Sequence, residues 1–146
     1  MDNMRLENIE VLDRIIIGRV EPHIYAFSTN TVPNYLKVGD TYRPVSQRLK
    51  EWKLYFPDLE KQYESKAIID DKTYFRDYAI HQYLEQDLRK ERLKVSDLDA
   101  DTYYSKEFFK EIQPEDIDSA IVDIKNNFSN HTGKYEYYSS ENRLPE

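Results

Sequence analysis

The chain has 146 residues, carries 28 acidic against 21 basic side chains for a formal net charge of −7, and contains no cysteine. That length suits one domain with a modest core, and the missing thiols exclude disulfides, thiolate zinc sites and cysteine nucleophiles. No run of 18 apolar residues occurs, and the opening "MDNMRLENIEVLDR" lacks the basic-then-apolar order of a signal peptide, so a soluble cytoplasmic protein with no membrane partner is expected.

In chain order, Leu6, Ile9 and Leu12 recur at helical spacing and predict an N-terminal helical extension over 1–19. A single domain is expected over 20–128. "HIYAFST" alternates in character and predicts a strand over 23–28. After the loop "TNTVPN", the stretch "YLKVG" predicts a second strand over 35–39. Gly39, one of three glycines, suits a tight turn or a close backbone approach.

Pro44 then fits the first position of a helix over 44–55. Val45, Leu49, Trp52 and Phe56 fall at i, i+4, i+7 and i+11, one buried face, and Trp52 is read as core packing. "SKAIID" predicts a third strand over 65–69. "TYFRDYAIHQYLEQDLRKERLK" predicts a helix over 73–92, with Thr73 as its cap. "SKEFFKEI" reads as a short strand or extended turn, and Pro114 with its acidic first turn opens a helix over 114–127. The segment 129–146 is polar and patternless, and reads as a tail or linker. The fold class is α/β (α+β): a small mixed, mostly antiparallel three-stranded sheet flanked by helices.

Charge is distributed unevenly. Residues 37–53 hold five basic groups (Lys37, Arg43, Arg48, Lys50 and Lys53) against Asp40 and Glu51, whereas 95–123 hold nine acids against two lysines. A local basic face on an acidic body is therefore expected. There is no glycine-rich phosphate loop, HExxH, GxSxG or EF-hand pattern.

The remaining polar groups suit the splitting of a phosphodiester, which needs positive charge over the phosphate, a group to position water and commonly a divalent metal. Arg48 can clamp phosphate bidentately, and Tyr25 and Lys37 can handle protons where burial or a cationic neighbour tunes them. Asp77 and His81, four apart on the long helix, share a face with a carboxylate for metal beside an imidazole. Gly39, Thr41 and Arg43 are candidates for substrate contact. Each has a plainer reading: a packed tyrosine, surface charges, a half-buried histidine.

"HIY" at 23–25, "KVG" at 37–39, Arg48 nine residues after Gly39, "DYAIH" at 77–81 and "EFF" at 107–109 together resemble the GIY-YIG endonuclease superfamily. The pattern covers roughly residues 20–125. It is most similar to the phage and fungal branch, and to modules at the front of bacterial helicase or restriction-type proteins. His23 stands where the family has Gly, Lys37 where it has Tyr, and Asp77 where it has the metal-binding Glu; Glu85 lies one pitch beyond His81 as an alternative ligand. The resemblance implies a metal-dependent endonuclease with Mg2+ or Mn2+ on Asp77. Tyr25, Lys37, Arg48 and His81 would act at the phosphate, and the partner would be nucleic acid, DNA before RNA, within a larger helicase or restriction-type assembly. The rival reading is a degenerate module of the same fold that binds DNA or a partner protein.

Overall fold

The computed structural model describes residues 21–99 and 101–139. The helix expected over 1–19 and the last residues of the 129–146 tail lie outside them. The described chain runs β1 (His23–Ser28), β2 (Tyr35–Thr41), α1 (Val45–Trp52), β3 (Glu60–Lys66), β4 (Thr73–Tyr74), α2 (Asp77–Gln82), β5 (Phe108–Lys110), α3 (Pro114–Ser129) and β6 (Tyr138–Ser139). The main sheet has strand order β3-β1-β2-β5 with every pairing antiparallel. It is the expected α+β class, with β5 as a fourth strand, and β4 and β6 form a separate ribbon.

Side-chain alternation in β1 explains the layering. Ile24 and Ala26 join Leu36 and Val38 on one face, under Ala79, Ile80 and Leu84 from the α2 region and Ile117, Ala120, Ile121 and Ile124 of α3. Tyr25 and Phe27 point the other way, into a second cluster with Val45, Leu49, Trp52 and Phe56. The sheet is thus covered on both faces. Each fully buried aromatic such as Phe75 or Phe109 contributes roughly 1.5–3 kcal/mol by leaving water.

Two elements differ from the sequence expectation. The third strand lies at Glu60–Lys66 rather than 65–69, and its "EKQYESK" is largely exposed. It is a charged edge strand, whose Lys and Glu side chains deter edge-to-edge association, so hydropathy points instead to the apolar segment just after it, where Ala67 is buried. The long helix begins at Asp77 rather than near 73, because Thr73 and Tyr74 pair with Ser139 and Tyr138. Its N-terminus is capped not by Thr73 but across the fold by Asp40 of β2, which accepts the Asp77 backbone N–H at 2.9 Å and Arg76 Nε at 2.7 Å. The helix then widens into a π turn over Tyr83–Asp87 and stops there, short of the expected 92, with Arg89 at a φ of 58° just beyond it.

Residues 135–139 also pack onto the domain rather than trailing from it. Tyr135 is buried and donates to Asp123 Oδ2 at 2.6 Å, and Tyr137 donates to the Ile124 carbonyl. No helix among the described residues is long and apolar enough to cross a membrane.

Candidate active site

The site forms where β5 stops. β5 pairs with β2 only over Tyr35–Lys37; beyond that point β2 is met by other groups. The Val38 N–H donates to the Glu107 carbonyl at 3.0 Å, and His81 Nε2 donates to the Val38 carbonyl at 2.8 Å. Around this buried point, where β5 no longer pairs with β2, side chains from the two faces of the sheet approach one another.

From the α1 face come Tyr25, Lys37 and Trp52. The Lys37 side chain is fully buried, with Nζ donating to Glu107 Oε1 at 2.7 Å and lying 4.1 Å from the Trp52 ring centre. Trp52 Nε1 donates to the Tyr25 hydroxyl at 2.8 Å. Burial pushes the Lys37 amine below its ordinary value, against the pull of Glu107. It pushes the Tyr25 phenol up to about 12, with the Trp52 hydrogen bond and the Arg48 charge acting the other way. Tyr25 is therefore a proton donor through the neutral range.

Gly39 owes its identity to this packing. It lies opposite Tyr25 within β2, which continues to Thr41, so it does not end the strand. A Cβ there would sit 2.7 Å from the Tyr25 hydroxyl oxygen and 3.1 Å from Lys37 Nζ. Of the two roles open to Gly39, close approach is the one realised.

From the other face come Asp77 and His81. One ligand atom each of Asp77, His81 and Glu107 lie within 4.8 Å of one another. Asp77 is 5% exposed, and no hydrogen bond or ion pair with a described residue reaches its carboxylate. Burial first, then the charges of Asp40 and Glu107, raise it to about 7. Burial lowers His81 to about 4, against its bond to Val38, so the ring is neutral. A carbonyl only accepts, so Nε2 carries the proton and Nδ1 keeps the lone pair. An imidazole anchored to a backbone carbonyl is the usual support of a metal-binding histidine.

An unpartnered buried carboxylate, a second carboxylate and a neutral imidazole form a donor set suited to a divalent cation. The two carboxylates suit Mg2+ or Mn2+, whereas an imidazole is a ligand favoured by the later transition metals.

Of the remaining predicted residues, Arg48 lies beside the Tyr25 phenol and the others have partners away from the site. Arg48 extends its guanidinium over Trp52 at 4.9 Å and donates to Glu51 Oε1 at 2.8 Å. Arg43 is forked onto the same Glu51 carboxylate. Thr41 is buried and accepts the Arg43 backbone N–H at 3.0 Å, closing the turn into α1. Glu85 pairs with Arg92 at 3.2 Å and is not among the three clustered ligands. A cavity of about 310 Å3 lined by Tyr35, Leu36, Gln62 and Pro114 contains none of the site groups.

Three residues escaped the sequence reading of the site. Glu107 was visible within "EFF", and a lone carboxylate just before a short strand gave no hint of its partners. Trp52 has a polar N–H that a core reading overlooks. Asp40 holds both the α2 N-terminus and Arg76. Comparison with protein-family models, curated proteins and solved structures returns no match.

Proposed function

We propose that this chain is a metal-dependent endonuclease of the GIY-YIG kind, hydrolysing phosphodiester bonds in nucleic acid, DNA before RNA. The observation that carries this reading is the meeting of Tyr25, Lys37 and Gly39 with Asp77, His81 and Glu107 around the buried stretch of β2 just beyond its pairing with β5. These residues are brought together from segments far apart in sequence. Lys37 and Asp77, both buried and charged or chargeable, are costly to keep unless function uses them.

Asp77, Glu107 and His81 would hold Mg2+ or Mn2+, which when bound polarises a phosphate oxygen and neutralises developing charge. Tyr25, a donor with Trp52 bonded to its oxygen, orients the attacking water or the phosphate. Lys37, held between Glu107 and Trp52, places a cation beside it. Arg48 uses the guanidinium N–H groups not bound to Glu51 to meet the transition-state charge. Glu107 offsets the shorter reach of Asp77 by adding a second carboxylate. The cytoplasm and a larger helicase or restriction-type assembly are the setting this reading carries with it.

Nicking of supercoiled plasmid tests it. Wild type should cut with Mn2+ at least as well as with Mg2+ and stop in EDTA. Asp77→Ala should abolish cutting, Asp77→Glu should preserve or raise it, and Arg48→Ala should depress turnover more than affinity. Undiminished cutting by Asp77→Ala would refute the metal role. The second reading, a non-catalytic module that binds DNA or a protein, draws on the full burial of Lys37 and the engagement of Arg48 by Glu51. DNA binding without cutting under either metal would select it.

A further inference from the structure

Beside the site, two tyrosine rings lie stacked and open to solvent. Tyr55 is 51% and Tyr103 43% exposed, with centroids 4.2 Å apart and planes 29° from parallel. Both rest against the edge of Trp52, at 6.2 and 5.9 Å, and Trp52 in turn bonds Tyr25 and lies under Arg48. The exposed pair is thus linked to the candidate active site by packing through the buried Trp52. Arg48 and Tyr55 are seven residues apart, Arg48 within α1 and Tyr55 in the turn that follows it.

Core packing does not account for the pair, since each ring leaves much of its area in water. Exposed aromatic surface joined to a polar site marks a binding surface. A flat aromatic face matches a nucleobase, on which stacking is strong and tolerant of base identity. A base inside a duplex already has both faces covered and cannot reach such a platform. The adjoining Arg48 provides a cation for the phosphate of the same strand.

We propose that Tyr55 and Tyr103 form a stacking platform for an unpaired base, making the substrate DNA with single-stranded character, such as a flap, an overhang or a single strand. This rests on the nuclease reading for its biological meaning, but its test needs no cleavage. Binding is measured in EDTA at low salt by anisotropy of labelled oligonucleotides and by fluorescence of Trp52, the protein's one tryptophan. A poly-dT oligonucleotide should bind at least tenfold more tightly than a blunt duplex of the same length and should quench Trp52. An abasic oligonucleotide of equal length keeps the phosphates and should lose that tenfold and the quenching.

Tyr55→Ala with Tyr103→Ala should bind poly-dT no better than wild type binds the abasic strand, while Tyr55→Phe should retain wild-type affinity. Thermal melts of the variants establish that they are folded. Equal wild-type affinity for the abasic and base-bearing strands, or unchanged affinity in the folded double variant, would overturn the platform. Base-dependent binding without cutting under Mn2+ would leave the platform standing and remove the nuclease.

Discussion

Lys37 and Asp77 are the residues whose chemistry is hardest to explain by stability. An ammonium with no exposure and one ion pair incurs desolvation that its attraction to Glu107 does not fully offset. Lys37→Met keeps the volume and removes that charge, so it should leave the melting temperature unchanged or raise it while eliminating cleavage. A fall in stability with activity retained would mark Lys37 as structural. Gly39→Ala should cost about 1–3 kcal/mol through overpacking, because the new methyl meets the Tyr25 phenol at 2.7 Å; chemical denaturation reads it directly. Asp77 gives a pH signature. Its value rises from 3.8 to about 7 on folding, so its stabilising contribution is complete below 3.8 and lost as pH climbs through 7. His81, lowered from 6.5 to about 4, acts in the opposite sense: its contribution is present above 6.5 and fades as pH falls to 4. At pH 8 only the cost of ionising Asp77 remains. Asp77→Asn should therefore raise the unfolding free energy of the metal-free protein more at pH 8 than at pH 5, by a difference on the order of 2–3 kcal/mol, read by chemical denaturation at the two pH values. Mn2+ should stabilise wild type and leave Asp77→Asn unmoved. Equal effects of the substitution at both pH values would show that Asp77 is not held protonated.

The elements that were legible in the sequence are those whose own side chains state their period. The β1 strand, α1 and α3 match expectation because Tyr25/Phe27, Val45/Leu49/Trp52 and Ile117/Ile121/Ile124 repeat cleanly. β3 was displaced because an edge strand has little to bury, and its charge pattern carries no apolar signal. The start of α2 was displaced because its cap, Asp40, lies 37 residues away, and no local pattern reports a partner at that distance. Four residues of the candidate site, Tyr25, Lys37, Asp77 and His81, could be singled out because they lie on elements the sequence announces, whereas Glu107 gains its neighbours just before β5 begins. The 135–139 segment escaped because tyrosine scores as polar yet buries a large ring. Tyr135→Ala should accordingly cost about 3 kcal/mol and Tyr135→Phe about 1 kcal/mol, the worth of the hydroxyl bond to Asp123. Urea titrations of the two variants separate ring from hydroxyl. A negligible cost for Tyr135→Ala would return the segment to the status of a loose tail.

At the scale of the whole molecule, the body is acidic and the cations near the site are few. Arg43 and Arg48 share Glu51, and Lys37 is spent on Glu107. Lys50 and Lys53 form no ion pair with another described residue, but the helical period places them across α1 from Arg48. A net charge of −7 repels a polyanion until it is close, and among the described residues near the site Arg48 and one or two lysines are the groups we expect to release counterions. Binding of single-stranded DNA should thus show a shallow salt dependence, with log affinity against log salt falling at a slope of about −2, and a dissociation constant above about 1 μM at physiological ionic strength. Arg48→Ala should reduce the slope by about one, whereas Tyr55→Ala should weaken binding at every salt concentration with the slope unchanged, because stacking releases no counterions. A slope steeper than −5 would mean a phosphate track that the charges near the site do not provide. Weak intrinsic affinity of this kind is what the proposed nuclease reading expects if the module is delivered to DNA by a tethered partner, since a linker supplies effective concentration that the module's own surface does not.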